Sequence, residues 1–262
     1  MSDGVRLHTV WDVVAGVRVR GRVNDRARAR EAGQPHAVFV HGLGMATDYL
    51  EPTMRALGDS VAVSALDLPG FGGSRPIEGH RSLAELADAL AAWVRVRGIV
   101  APIVVGQSHG CQVVVEAVTR APELASAIVL NAPTMLAGHR SMAAQLWRVM
   151  LDSPREPLSL VPHVVRDYWR AGPVRILATL KDALRDRIED KLPAVRMPLS
   201  IVTGARDPVS PPAWGEQLAR LAGARFTVVP GAAHAVPFSH PEALAAEIGA
   251  MARRVEAGRA SR

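Results

Sequence analysis

Short, almost wholly apolar runs recur along this chain. They alternate with longer stretches in which leucine, valine and alanine return every third or fourth position. The first pattern is that of a strand buried on both faces, the second that of an amphipathic helix. Read in order, the chain predicts an opening strand pair over 5–14 and 17–23, then strands at 37–40 and 61–66. A helix opens at Ser82, where Glu85 three residues on completes a capping box, and Leu83, Leu86, Leu90, Trp93 and Val94 share one face. Further strands fall at 103–106, 127–130, 199–202 and 226–229, and a closing helix from about 241 turns Leu244, Ile248 and Met251 inward. The tail after Val255 is expected to fray. Such alternation predicts one α/β domain over 1–262, with a mostly parallel central sheet flanked by helices.

Between 134 and 196 the alternation stops. Leu146, Val149 and Met150, then Leu177, Leu180, Leu184 and Ile188, keep helical spacing, and no strand-like run intervenes. This predicts a helical cap inserted after the sixth strand, at the carboxyl end of the sheet, where parallel sheets bind ligands. Leu146, Trp147, Met150, Tyr168 and Trp169 are its candidate pocket residues, although any helical subdomain needs such residues for its own core.

One stretch carries chemistry. Gly106-Gln107-Ser108-His109-Gly110 fits G-x-S-x-G, between a buried-type strand and an amphipathic helix, the context in which a serine stands exposed on a sharp turn. A side chain at either glycine would crowd that turn. A serine hydroxyl needs a base, and the base an orienting group. Asp207 and His234 each end a predicted strand, so both would emerge with Ser108 on one edge of the sheet. Asp67 also ends a strand, but in a Pro- and Gly-rich turn where aspartate commonly ties up backbone amides. Asn131 cannot ionise, His240 sits at a helix start, and His41 is expected to brace the following glycine loop. An oxyanion would be met by the backbone N–H groups of His109 and of Leu43, in the loop His41-Gly42-Leu43-Gly44.

These segments together resemble the α/β-hydrolase superfamily, in particular small capped serine hydrolases of the esterase, lactonase and carbon–carbon bond hydrolase kind. The resemblance rests on His41-Gly42-Leu43-Gly44, the 67–74 turn, the serine motif, Gly204-Ala205-Arg206-Asp207-Pro208-Val209 and Gly231-Ala232-Ala233-His234. It implies an α/β-hydrolase fold and a Ser108–His234–Asp207 triad that cleaves an ester, lactone, thioester or related carbonyl bond of a small, moderately apolar substrate. A serine at 108 disfavours epoxide hydrolase and dehalogenase chemistry, which use aspartate there. The alternative left open is a non-hydrolytic member, of the cofactor-free haloperoxidase or lyase kind, or a ligand-binding one.

Composition narrows the partners. The 262 residues carry a net charge of +6, with arginines at 18, 20, 22, 26, 28 and 30. The first three alternate with apolar positions and are expected on the solvent face of a strand; aromatics are only 4% and no nucleic-acid motif accompanies the charge. No nucleic acid or membrane partner is expected, only a small-molecule substrate. The glycine pairs lack a dinucleotide fingerprint, and there is neither a Walker lysine nor H-E-x-x-H, so no cofactor is expected. Cys111 is the only cysteine, and the opening Met1-Ser2-Asp3-Gly4-Val5-Arg6 has no apolar leader; a cytoplasmic protein is the expectation.

Overall fold

A computed structural model describes residues 5–29, 34–75 and 77–260. Eight strands form one sheet: β1 (Leu7–Val14), β2 (Val17–Asn24), β3 (His36–Val40), β4 (Ala62–Leu66), β5 (Ile103–Gln107), β6 (Ala127–Asn131), β7 (Leu199–Gly204) and β8 (Arg225–Val229). Their order is β1-β2-β4-β3-β5-β6-β7-β8; β1 and β2 are antiparallel to their neighbours, and the rest run parallel. The helices are α1 (Asp25–Ala29), α2 (Glu51–Ala56), α3 (Leu83–Val96), α4 (His109–Arg120), α5 (Met142–Asp152), α6 (Val161–Ala171), α7 (Pro173–Arg185), α8 (Ile188–Lys191), α9 (Pro212–Ala222), α10 (Val236–Ser239) and α11 (Pro241–Ala260).

The period of two along each strand divides the core. Val38, Val40, Val104, Ile128, Leu130 and Ile201 face a layer built by α3, α4 and α9, through Leu90, Trp93, Val114 and Leu218. Ala37, Phe39, Val63, Val105, Val129 and Val202 face the opposite layer, where Met54 of α2 and Leu244, Ile248 and Met251 of α11 pack. The capping box at Ser82 is present, with Ser82 Oγ accepting from Glu85 N and the Glu85 carboxylate accepting from Ser82 N. Between β6 and β7 lie α5 to α8, with no strand among the described residues. None of the described helices is long and apolar enough to cross a membrane.

Two expectations change. The C-terminal segment does not fray at Val255: α11 continues to Ala260. Arg20 and Arg22 do not lie on a solvated face, because the segment after β3 folds over that face and brings acids to it. Arg20 donates to Asp67 (2.6 Å) and pairs with Asp48 (2.7 Å), while Arg22 pairs with Glu51 (2.5 Å). Arg18 stacks on Trp11, 4.2 Å from the ring centroid. Arg30 and residues 1–4 lie outside the described residues. The apolar stripes of the insertion are not all buried. Leu146, Val149, Met150 and Leu177 stand at 46–62% exposure.

Asp67 is fully buried and confirms the turn chemistry expected of it. Its carboxylate accepts from Thr47 N (2.7 Å) and Gly73 N (2.7 Å) as well as from Arg20. Removing one partner of such a pair strands the other in a poor solvent. Replacing Asp67 with Ala is expected to destabilise the fold by about 3–5 kcal/mol in urea denaturation; a loss below about 1 kcal/mol would show that Arg20 finds water instead.

Candidate active site

β5 ends at Gln107, and the chain turns at Ser108 into α4. Ser108 has φ +57° and ψ −122°, a region that a residue with a Cβ rarely enters and that costs on the order of 1–3 kcal/mol. Its N–H donates to the Asn131 carbonyl at the end of the neighbouring β6 (2.9 Å), and its carbonyl accepts from Cys111 N (3.0 Å). The flanking glycines are needed for space rather than for conformation. A Cβ on Gly110 would lie 2.4 Å from the Val40 carbonyl oxygen, and one on Gly106 would lie 2.8 Å from the backbone of Cys111. Their absence lets the start of α4 rest directly on the ends of β3 and β5.

The three residues expected on the sheet edge do meet. Asp207, in the turn after β7, is 3% exposed and is fixed by Val209 N (2.7 Å) and Ser210 N (2.8 Å), both donating to Oδ1. Its Oδ2 lies 2.8 Å from His234 Nδ1, and His234 Nε2 lies 3.0 Å from Ser108 Oγ. An ionised carboxylate only accepts, so Nδ1 carries a proton; in the neutral ring Nε2 is then free to accept from the serine hydroxyl. Gly204 makes the approach possible, since a Cβ there would lie 2.2 Å from the carbonyl oxygen of Ala233, the residue before His234. Burial pushes the His234 imidazole down, but the Asp207 carboxylate, with Asp152 and Glu156 beyond it, raises it to about 9.

The 41–44 loop is tied to this edge by buried side chains. Tyr49 Oη accepts from Gly42 N (3.0 Å) and donates to Gln107 Oε1 (2.6 Å), and Gln107 Nε2 donates to the His234 carbonyl (3.3 Å). A Cβ on Gly42 would stand 3.3 Å from Ser108 Cβ, so the loop runs directly beside the serine. His41 braces it as expected: Nε2 accepts from Leu68 N (3.0 Å), which leaves Nδ1 to donate to the Gly42 carbonyl (2.8 Å). Burial holds this ring below the usual histidine range, and burial with His41 nearby lowers His109 to about 4; both imidazoles are neutral at pH 7. His240 has a packing place at the head of α11, its ring bonded to Ser239 Oγ (3.0 Å). Cys111 is a buried thiol that donates to the Gly106 and Asn131 carbonyls, with its pKa driven up by burial.

The insertion reaches the site at several points. Asp152 Oδ1 accepts from His234 N (3.3 Å), Glu156 Oε1 accepts from Ala235 N (2.6 Å), and Arg148 donates to the Pro208 carbonyl (2.6 Å). Tyr168 lies against Gly44, where a Cβ would meet its ring at 2.9 Å. A cavity of about 720 Å³ opens beside Asp207, between α5 and the turn that carries it, with Trp147, Leu151, Arg148, Arg155 and Arg206 among its walls. Of the five candidate pocket residues only Trp147 lines it; Leu146 and Met150 are more than half exposed, and Trp169 is 87% exposed and turns outward. The roles of Tyr49, Gln107, Asp152 and Glu156 escape sequence reading; their one signal is polarity at positions that the fold buries wholly or in part. Among the described residues no three His, Cys, Asp or Glu side chains gather to hold a metal.

Comparison with known proteins bears on this geometry. The family model described as "Alpha/beta hydrolase family" matches residues 37–247. The chain is 29% identical over 252 residues to pimeloyl-(acyl-carrier protein) methyl ester esterase of Neisseria meningitidis, covering 84% of this chain and 95% of that protein. It is 32% identical over 235 residues to the dihydrolipoyllysine-residue acetyltransferase component of the acetoin cleaving system of Cupriavidus necator, covering 88% and 59%. Among solved structures it resembles the enol-lactonase from Burkholderia xenovorans, with a TM-score of 0.76 at 19% identity over 91% of this chain and 98% of that one.

The Tyr49 hydroxyl links the Gly42 amide to Gln107. Tyr49→Phe strands a buried donor and a buried acceptor, each worth about 1–3 kcal/mol. Urea denaturation is expected to show a loss in that range, and an unchanged midpoint would mean that the loop does not depend on this hydroxyl.

Proposed function

The chain belongs to the alpha/beta hydrolase family, and from that premise we propose that it is a serine hydrolase. Its reaction is the cleavage of an ester or lactone bond through an acyl-enzyme. The observation that carries this reading is the continuous relay from Asp207 through His234 to the strained Ser108. In this mechanism His234 Nε2 takes the hydroxyl proton as Ser108 Oγ attacks the carbonyl carbon, and Asp207 holds the ring and stabilises the imidazolium. The proton then passes to the leaving oxygen. Water, activated by the same imidazole, releases the acid and restores the serine.

The developing oxyanion would be met by His109 N–H, at the first position of α4, and by Leu43 N–H from the loop beside Ser108. Each such donor is worth about 2.7–4 kcal/mol in the transition state. The insertion acts as a cap in this reading, supported by its contacts to the His234 and Gly44 loops. The cavity beside Asp207 is lined by neither Ser108 nor His234, so its apolar walls and three arginines do not define where the acyl group sits. Names among the similar proteins, a methyl ester esterase and an enol-lactonase, support the bond class.

Ser108→Ala is expected to abolish p-nitrophenyl ester turnover and active-site phosphonate labelling. Labelling that persists in this variant, or stoichiometric labelling of the parent without turnover, would overturn the hydrolytic reading. Asp207→Asn is expected to lower kcat by roughly four orders of magnitude through the wrong imidazole tautomer. Because the His234 imidazole stays protonated until about pH 9, kcat/KM is expected to climb from neutral pH into the alkaline range. A flat profile between pH 7 and pH 9 would contradict it.

A further inference from the structure

Two carboxylates of the insertion sit on the loop that carries the imidazole, and the relay described above leaves them unused. Asp152, the last residue of α5, is 7% exposed. Glu156 follows four residues later, with Oε2 buried and without a hydrogen-bond partner. Each uses one oxygen to accept a backbone N–H, from His234 and from Ala235 in turn. Among the ion pairs of the described residues, none joins either carboxylate to a lysine or arginine. Buried carboxylates are normally neutralised by a cation, and here the nearby positive charge is the imidazole of His234 once protonated.

We propose that Asp152 and Glu156 are positioning residues for His234, clamping from the insertion the backbone of His234 and of Ala235 beside it. The inference rests on His234 acting as the base of the hydrolase proposed above. It makes the catalytic histidine a shared construction: Asp207 holds the ring from the sheet domain, and the insertion holds the main chain of the same residue.

Electrostatics agree with the geometry. The charged groups that act on the ring are Asp207 from the turn after β7 and Asp152 and Glu156 from the insertion. Arg148, Arg155 and Arg206 line the cavity that touches Asp207; Arg148 is directed to the Pro208 carbonyl and Arg155 to the Leu151 carbonyl. Burial raises the Asp152 carboxyl to about 7, and the neighbouring Glu156 and Asp207 add to the rise while His234 opposes it. Asp152 is therefore ionised across the range in which the imidazole titrates. A negative charge beside an imidazole raises its pKa, so removing one must lower it. An imidazolium that forms in the transition state would be stabilised by the same two charges.

The test is the titration of His234 itself, followed by NMR in protein labelled at histidine and assigned with His234→Gln. Asp152→Asn and Glu156→Gln keep an oxygen acceptor for the backbone N–H but lose the charge. Each is expected to lower the His234 midpoint by on the order of one unit, and to move the acid limb of kcat/KM by the same amount with KM unchanged. Asp152→Ala loses the acceptor as well, and is expected to lower kcat at the plateau by about tenfold, a loss of about 1.4 kcal/mol, with Asn in its place restoring most of it. Folding of each variant is checked by its thermal midpoint; should Asp152→Asn not fold, Glu156→Gln decides alone. An unmoved His234 midpoint in folded variants overturns the proposal. If the parent proves to have no Ser108-dependent turnover, the hydrolase reading fails, while the NMR midpoint still tests the clamp.

Discussion

A backbone hydrogen bond from Ser108 N–H to the Asn131 carbonyl ties the serine, in a conformation that its Cβ disfavours, to the neighbouring strand. That bond is available because β5 and β6 run parallel and in register to their last residues, with Gln107 opposite Asn131. The same parallel register carries on through β7 and β8, so Asp207 and His234 leave the sheet at the edge where Ser108 turns. Close contact at that edge is possible only where side chains are missing. Gly110 against β3 and Gly204 against the Ala233 carbonyl let backbone touch backbone, and a methyl group at either would push the relay apart. The site is thus a product of strand register and of a few absent atoms.

Around it stands a lattice of charge that crosses from the sheet domain to the insertion. Asp67 receives Arg20, Arg20 reaches Asp48, and Asp48 also pairs with Arg166 of α6 (2.8 Å), which bonds in turn to the fully buried Asp167 (2.8 Å). This ladder runs beside the loop that carries Gly42 and Gly44, because Thr47 N at the end of that loop donates to Asp67. Buried ion pairs contribute little net stability, since desolvation offsets their attraction, but they penalise any arrangement that separates them. Through Arg166 they tie α6 to the segment that follows the loop.

Much of this was legible before the structure, for reasons that differ by element. The runs 103–106 and 127–130 announced themselves because burial on both faces leaves little room for polar residues, which enter only at the strand ends, Gln107 and Asn131. Ser108, Asp207 and His234 were found because a turn at a strand end is a local feature, and parallel topology turns local features into neighbours. Arg20 was misjudged for the opposite reason. Alternation along β2 tells which face a residue takes, but not that Asp48 will later be laid across that face. Asp152 and Glu156 were invisible because the insertion has no register with the sheet; where α5 ends in space depends on packing that no periodicity records. Trp169 failed differently, since helical spacing identifies an amphipathic face without saying whether the protein supplies anything to cover it.

The lone thiol of Cys111 has a practical consequence. It is sealed beneath the start of α4, with both of its carbonyl acceptors belonging to the strands that build the serine turn. A maleimide or a disulfide dye therefore meets sulfur only when α4 lifts away from β5 and β6. The protein carries a built-in stopwatch: the rate of thiol modification in mild denaturant reports how often the central layers come open, without any introduced probe.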